Sequence, residues 1–213
     1  RIVPLDYPAA LRWFKACRDK LPGCATSVGH LYRSGLGVAQ DLAEARHYYL
    51  EAANRGDANG QVNLAILYRN GWGGAVDQEQ AFRWYLAAAE QGEITAMNGA
   101  GYSYLEGYGV ERDPAKAFYW LKRAAEAGQP NAMQTLGVMY WTEDGAPPDL
   151  FNAYRWLAMA IRTYPPNDAK LPLAQKAFRE VSGLLSEAQR QPIDIAVAQS
   201  KPAAAAASSP PGR

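Results

Sequence analysis

The sequence predicts an all-α protein: a right-handed α/α superhelix, or solenoid, of stacked helix hairpins with a helical cap at its C-terminal end. Three observations predict it. Segments of similar sequence begin at Asp41, Asp77, Asp113 and Asp149, and these starts are 36 residues apart without insertion or deletion. Apolar, small and aromatic residues recur in each copy at helical spacing, and a turn containing glycine divides each copy into two helices. A fixed period of this size is typical of arrays in which each copy buries its apolar face against its neighbours.

The first helix of each copy is predicted from three columns of residues. An apolar residue is followed directly by a small residue, and a tyrosine stands three positions after the small residue. These positions share one helix face, where the small residue lets a neighbouring helix approach and the tyrosine fills the wider gap beyond it. The columns are Val28, Leu64, Ala100 and Leu136, then Gly29, Ala65, Gly101 and Gly137, then Tyr32, Tyr68, Tyr104 and Tyr140.

A short turn and an aspartate N-cap separate the first helix from the second. Gly35, Gly71 and Gly107 stand where a left-handed residue closes a helix, and Glu143 takes this place in the fourth copy. The repeated aspartates begin the second helices, because a carboxylate accepts the free amide hydrogens of a first turn. The packed faces of the second helices are Ala45, Tyr48 and Ala52, then Ala81, Trp84 and Ala88, then Ala117, Trp120 and Ala124, then Ala153, Trp156 and Ala160.

The repeats at residues 24–164 are flanked by segments of different character. Residues 1–23 contain a half-repeat that resembles a second helix and is predicted to cap the first copy. Residues 165–199 are predicted to form C-terminal capping helices, after the helix-breaking YPPND at 164–168. Residues 200–213 are predicted to be a disordered Pro/Ala/Ser tail, because they carry too few large apolar groups to pack. Residue 1 is Arg and no signal peptide is visible, so we interpret the chain as processed, or as excised from a longer or membrane-anchored protein.

The columns Leu-Gly-x-x-Tyr and Ala-x-x-x-aromatic resemble the tetratricopeptide pattern, but the period is two residues longer. Together with the turns GLGV at 35–38 and GYGV at 107–110, they resemble the Sel1-like repeat family over residues 24–161. The sequence departs from the family pattern at three glycine positions, where it has Ala65 in the second copy and Glu143 and Tyr164 in the fourth. We interpret the last two as decay of the pattern where the array ends. The resemblance implies a non-enzymatic scaffold or adaptor that binds a partner protein or peptide in a concave groove.

Composition and motifs argue against most other functions. Basic and acidic residues number 22 and 21 and are well mixed, so the chain carries no basic stripe for nucleic acid and no polybasic run for a membrane. No apolar stretch approaches the roughly 18 residues that span a bilayer. The two histidines, His30 and His47, have no Cys or carboxylate at metal-ligand spacing, and no nucleophile, phosphate-loop or zinc-protease motif occurs. We therefore expect no metal, no cofactor and no enzymatic activity.

Cys17 and Cys24 are the two cysteines of the chain. They fall near the end of the half-repeat helix and the start of the next helix, and antiparallel helices joined by a short connection can bring side chains within disulfide reach. Later copies carry Ala or Gly at the equivalent positions, so the alternative is that Cys merely fills a small, buried space. Secreted members of the Sel1-like family place disulfides at about this junction, so the resemblance favours a Cys17–Cys24 disulfide. A disulfide implies an oxidising compartment, most simply a bacterial periplasm or the cell exterior.

The resemblance also places the first helices on the concave side, where their positions outside the packing columns vary from copy to copy. A scaffold with one irregular binding surface would show this contrast, although drift of unconstrained surface positions would also produce it. Amides, arginines and aromatics suit an extended peptide or a partner helix, and Arg69 and Trp141 are predicted hot spots because their residue types are enriched among them. The predicted groove residues are His30, Arg33, Asn59, Val62, Ile66, Arg69, Asn70, Asn98, Tyr102, Leu105, Glu106, Gln134, Val138 and Trp141, with Ser34, Thr95, Asn131 and Thr142 extending the rows.

Two further classes of function compete with a protein-interaction scaffold. The aromatic residues and the predicted periplasmic location are compatible with a protein that binds peptidoglycan fragments or another cell-wall glycan. An enzyme is the third class, and the absence of a catalytic constellation argues against it. The sequence favours a protein or peptide as the partner, with no nucleic acid and no membrane insertion of this segment.

Overall fold

The computed structural model describes residues 6–200, and all regular secondary structure within this range is α-helical. The all-α fold class is confirmed, while the predicted tail, apart from Ser200, lies outside the described residues. The helices of the described range are α1 (Tyr7–Cys17), α2 (Pro22–Ser34), α3 (Leu42–Asn54), α4 (Ala58–Asn70), α5 (Gln78–Glu90), α6 (Ile94–Glu106), α7 (Pro114–Glu126), α8 (Pro130–Thr142), α9 (Leu150–Thr163), α10 (Leu171–Gly183) and α11 (Glu187–Gln199).

The helices follow the order that the repeat predicts. Helix α1 is the half-repeat, and the pairs α2–α3, α4–α5, α6–α7 and α8–α9 are the first and second helices of copies one to four. The described chain forms two compact units. Unit 1 contains residues 6–96 with Tyr108–Val110, and unit 2 contains Met97–Gly107 with residues 111–200.

The four repeated aspartates cap the second helices as predicted. Asp41 Oδ1 accepts hydrogen bonds from the amides of Ala43 and Glu44 at 2.9 and 3.0 Å. Asp77, Asp113 and Asp149 each accept one from the amide three residues later, at 2.9, 3.0 and 3.0 Å. Each cap stabilises its helix by about 1 kcal/mol, because these amide hydrogens have no partner within the helix.

The first helices end in the left-handed conformation that the turn requires. Gly35 and Gly71 have φ of 67° and 68°, and Glu143 has φ of 61°. Glu143 is the only non-glycine residue with positive φ among residues 6–200. The fourth copy therefore keeps the turn without the glycine, at a conformational cost of about 1–2 kcal/mol.

The small column of the first helices is explained by a column of the second helices that sequence reasoning did not single out. A Cβ atom at Gly29 would lie 2.7 Å from the ring of Tyr49, and one at Gly101 would lie 2.7 Å from Leu121 Cγ. These second-helix residues stand twenty positions after the small residue and are at most 3% exposed. The column consists of Tyr49, Tyr85, Leu121 and Leu157.

The second glycine of each turn lies against the backbone of the preceding copy. A Cβ at Gly73 would overlap the carbonyl of Leu42 at the start of α3, and one at Gly145 would overlap that of Pro114 at the start of α7. Gly37 meets Tyr7 in the same way, and Gly109 meets Gln78. Consecutive copies within each unit are thus joined by close backbone contacts.

The C-terminal cap predicted from the sequence packs on the last repeat. Ala177 and Val181 of α10 join Tyr154 and Leu157 of α9 in one buried cluster. The Tyr154 hydroxyl donates a hydrogen bond to Asp194 of α11 at 2.8 Å. Burial, and then this contact, raises the pKa of Tyr154 to about 12, so the phenol remains protonated at neutral pH.

Candidate binding surface

The predicted groove positions of unit 1 lie on α2 and α4, and most of them reach solvent. His30, Asn59, Arg69 and Asn70 are exposed, and Arg33 and Ile66 are half-buried. Val62 is a correction to the prediction, since its side chain is only 8% exposed. Helix phase placed Val62 in the outer row, but tertiary packing covers this position.

Arg33 forms the centre of a polar cluster on this surface. One terminal nitrogen of its guanidinium lies 3.5 Å from Asn63 Oδ1, and the other lies 3.4 Å from His30 Nδ1. Burial, and then the charge of Arg33, lowers the pKa of His30 below its usual value. His30 is therefore neutral at physiological pH, which leaves its Nδ1 able to accept the hydrogen from Arg33.

Arg69 occupies the same column one copy later. Its guanidinium carbon lies 5.9 Å from the centre of the Tyr85 ring, within the range of a cation–π contact. Tyr85 is 3% exposed, and burial raises its pKa, opposed by Arg69. The Arg69 side chain thus contacts the buried Tyr85 ring and also reaches solvent.

The predicted groove positions of unit 2 differ more in their surroundings. Tyr102 and Glu106 are exposed, whereas Asn98 and Leu105 are half-buried. Gln134 is also half-buried, and its Oε1 lies 2.8 Å from the Tyr164 hydroxyl.

Tyr164 has a structural role that sequence reasoning missed. Its side chain is 5% exposed, and its hydroxyl also lies 2.8 Å from Asn131 Oδ1. Burial raises the pKa of Tyr164 above its usual value. Tyr164 departs from the repeat pattern and also has a role of its own, because it anchors the end of α9 to α8.

Val138 and Trp141 also depart from the predicted surface, since both are half-buried and pack against the cluster that α9 forms with the cap helices. Trp141, predicted from its residue type to be a hot spot of the groove, therefore also has a packing role. Its column matches that of Arg69, but it packs against a cluster that residues of α9 and α10 form together.

A family model for the Sel1 repeat matches residues 2–16, 23–57, 58–93, 94–129 and 130–162, which together make up more than half of the chain. The chain belongs to the Sel1 repeat family. Proteins of this family generally mediate protein–protein interactions, and the fold generally serves as a non-catalytic scaffold.

Two solved structures support the assignment. The crystal structure of a Sel1 repeat protein from Oxalobacter formigenes is 26% identical, with a TM-score of 0.66 over 87% of this chain and 88% of that chain. The structure of c5321, a protective antigen present in uropathogenic Escherichia coli strains and displaying an SLR fold, is 26% identical with a TM-score of 0.58. That likeness covers 92% of this chain and 49% of c5321, so the chain spans about half the length of that protein. No curated protein sequence matches the chain.

The first Sel1 hairpin junction brings the two cysteines together. The structure joins Cys17, at the end of α1, to Cys24, in the first turn of α2, with Cα atoms 6.0 Å apart. Cys24 is 5% exposed and Cys17 is half-buried. The bond closes a short loop, so it restricts the unfolded chain locally and links α1 to the first Sel1 repeat.

Unfolded, unreduced protein from an oxidising compartment is expected to show no free thiol. Replacing both cysteines by Ala, a residue that later copies carry at the equivalent positions, is expected to lower the free energy of unfolding by about 2–3 kcal/mol. The reason is that it removes the closure of a loop of about eight residues. Thiol titration with a chromogenic reagent and urea unfolding followed by circular dichroism measure the two effects. Two titratable thiols in such material would contradict the disulfide.

Trp141→Ala is expected to lower the free energy of unfolding by about 2 kcal/mol, roughly half the cost of truncating a fully buried tryptophan. The physical reason is its packing against the cluster of α9 and α10. Arg69→Ala serves as the control and is expected to cost at most about 1 kcal/mol, since the side chain is exposed and loses only its contact with the Tyr85 ring and its charge at the helix end. Urea unfolding checks both values, and a Trp141→Ala protein as stable as the parent would contradict the packing assigned to it.

Residues 6–200 show neither a group of metal-binding side chains nor a membrane-spanning helix. Within this range no group of three or more His, Cys, Asp or Glu residues is placed to hold a metal ion. None of the helices described is long and apolar enough to cross a membrane.

Proposed function

We propose that this Sel1 repeat protein is a non-enzymatic scaffold or adaptor that binds a partner protein or peptide through the outward-facing rows of its first helices. Family membership supports this role. The proposed binding surface consists of the predicted groove residues without Val62, which is buried, and without Val138 and Trp141, which pack against the cluster of α9 and α10.

One observation carries the proposal, namely the difference between two sets of positions on the same repeats. The alanine columns of the second helices, which run from Ala45 to Ala153 and from Ala52 to Ala160, keep one residue type in all four copies and are buried. The outer rows change from copy to copy, for example from Arg33 to Leu105, while their side chains are exposed or half-buried. Tight packing limits which residues a column accepts, whereas the varied rows combine amides, arginines and aromatics that suit recognition of one particular partner.

The proposed setting is a bacterial periplasm or the cell exterior. The link between Cys17 and Cys24 supports it, since disulfides persist in oxidising compartments. The organisms of the two similar structures, Oxalobacter formigenes and Escherichia coli, support a bacterial origin.

Site-specific photo-crosslinking in the native cell tests the proposal. A photoreactive amino acid is placed at Asn70, at the exposed end of α4, or at Glu90, an exposed position at the end of α5 that serves as the matched control. We expect a discrete crosslinked protein from Asn70 and none from Glu90, because the outer row of the first helices contacts the partner. Identical products at both positions, or none at Asn70, would argue against the proposal.

A second arm separates a protein partner from a glycan. Purified muropeptides are titrated into the protein and followed by calorimetry. Muropeptide binding without a crosslinked protein at Asn70 would replace the proposed function with cell-wall glycan binding.

A further inference from the structure

We propose that the surface formed by α2 and α4 in unit 1 binds an acidic peptide, whose carboxylates pair with Arg33 and Arg69. The inference rests on the proposed function and names the chemistry of the partner. Arginine suits this role because its planar guanidinium donates two parallel hydrogen bonds to one carboxylate.

The first observation is a division of the repeats into two chemical types. Four positions after the small residue, copies one and two carry Arg, whereas copies three and four carry Leu and Trp. The buried second-helix residue that stands sixteen positions after this one also changes: it is Tyr in copies one and two, and Leu in copies three and four. The pairs are Arg33 with Tyr49, Arg69 with Tyr85, Leu105 with Leu121, and Trp141 with Leu157. Basic character at this position is therefore confined to the copies of unit 1.

The second observation is that neither arginine is neutralised. Arg33 contacts two neutral groups, the imidazole of His30 and the amide of Asn63, at distances near the limit of a hydrogen bond. Arg69 contacts the face of Tyr85. Among residues 6–200, the ion pairs are formed by other side chains, and none includes Arg33 or Arg69. Two guanidinium charges thus stand on one surface without a carboxylate.

The acidic residue that caps α4 already has its own partners. Asp57 begins α4, and its Oδ2 accepts hydrogen bonds from the Thr26 hydroxyl at 2.6 Å and from the Gly60 amide at 2.7 Å. It serves as the N-cap of α4. Its charge is therefore directed to the start of α4, whereas Arg33 and Arg69 lie in the last turns of their helices.

The third observation concerns the base of this surface. Tyr49 is fully buried, and its hydroxyl has no hydrogen-bond partner among the described residues. Burial raises the pKa of Tyr49 to about 12, and the charge of Arg33 opposes this rise. Arg33 is itself half-buried, so its attraction to an incoming carboxylate is screened less than in open solvent.

The neighbouring side chains suit a peptide rather than a nucleic acid. Asn59 and Asn70 are exposed amides that can pair with a peptide backbone. The Asn63 side chain donates a hydrogen bond to the backbone carbonyl of Asn59 at 2.8 Å. Lys15 of α1 already donates a hydrogen bond to the Tyr32 hydroxyl of α2 at 3.0 Å. Two arginines do not form the extended basic track that a phosphate backbone requires.

Each arginine also has a structural role, which the test must separate from binding. Both lie in the last turn of a helix, where a cation favours the helix dipole. Arg→Gln variants are therefore compared by circular dichroism, and binding is measured well below the melting temperature of the least stable variant.

The test is fluorescence anisotropy on the full chain with a fluorescein-labelled peptide of alternating Glu and Asp, about eight residues long. The uncharged control peptide alternates Gln and Asn. We expect the acidic peptide to bind at least about tenfold more tightly than the control peptide, and Arg33→Gln or Arg69→Gln to weaken its binding at least about fivefold. Binding should also weaken as NaCl rises from about 50 to 300 mM.

Arg83→Gln is the matched control variant, since Arg83 is exposed on α5 of the same unit and its loss changes the net charge equally. Arg83→Gln is expected to stay within about twofold of the parent. An equal loss of binding in Arg83→Gln, or tighter binding of a single-stranded oligonucleotide of the same charge, would overturn the proposal.

Failure of this inference is distinguishable from failure of the scaffold role. If the acidic peptide does not bind while Asn70 still crosslinks to a protein in the cell, the acidic-peptide inference is wrong and the scaffold proposal stands. If Asn70 crosslinks to nothing, the scaffold proposal fails independently of the anisotropy result.

Discussion

Trp120→Ala is expected to lower the free energy of unfolding by about 3–5 kcal/mol, the usual cost of removing a buried aromatic side chain. Trp120 is 8% exposed on α7, between Ala117 and Ala124, which are both fully buried. These neighbours are too small to close the space that the indole leaves, so a cavity remains. Urea unfolding followed by circular dichroism measures the loss.

The adjacent aromatic residue supplies the control. Tyr119 precedes Trp120 on the same helix but is 54% exposed, and its hydroxyl accepts a hydrogen bond from Arg123 at 3.3 Å. Tyr119→Ala is expected to cost less than about 1 kcal/mol. Hydrogen exchange adds a spatial readout, since α7 and α8 should lose protection first in Trp120→Ala. Equal losses in the two variants would refute the assignment of this column to the core.

Gly73→Ala is expected to lower the free energy of unfolding by about 2–5 kcal/mol, the sum of left-handed strain and overpacking. Gly73 has φ of 72°, which a residue with a Cβ adopts only with strain. The new Cβ would also overlap the carbonyl of Leu42, a backbone group at the start of α3 that cannot rotate away. This overlap is relieved only if the turn at Gly73 moves away from α3 of the preceding copy. Thermal and urea unfolding measure this effect.

Two other glycines separate the causes. Gly92 has φ of 94° with no atom within 4 Å of an added Cβ, so Gly92→Ala reports strain alone, about 1–2 kcal/mol. Gly183 ends α10 without positive φ and without a close neighbour, so Gly183→Ala should be neutral or stabilising by about 0.5–1 kcal/mol. A different order of these three losses would show that backbone contact is not what Gly73 provides.

The repeat made most of the fold predictable from sequence. Columns of identical residue type, such as the four aspartates, revealed the helix starts because the same physical need recurs every 36 residues. The column of Tyr49, Tyr85, Leu121 and Leu157 escaped notice because its members differ chemically and share only their burial. Its function depends on the pairing of two helices, which spacing along one helix does not reveal.

The surface was less predictable, because exposure depends on what lies beside a position. Val62 and Trp141 have the helix phase of surface residues, but Val62 is only 8% exposed and Trp141 packs against the cluster of α9 and α10. The cap sequence follows no repeat, so a column defined by the repeats carries no information about it. The pairing of Arg33 with Tyr49, and of Arg69 with Tyr85, was visible in the sequence as a joint change between copies, but its meaning required the structure.

The backbone contacts of the turn glycines set how closely consecutive copies approach, and they do not depend on one fixed number of residues. Gly37, Gly73, Gly109 and Gly145 each meet the first residues of the second helix in the preceding copy. The chain between Tyr7 and Gly37 is one residue shorter than the chain between Leu42 and Gly73, yet the same contact forms. Helix α1 has 11 residues where α3 has 13, so the difference in length is taken up where the second helix ends. We therefore expect a repeat to accept a gain or loss of one residue at that point, whereas any side chain at the turn glycine meets backbone that cannot yield.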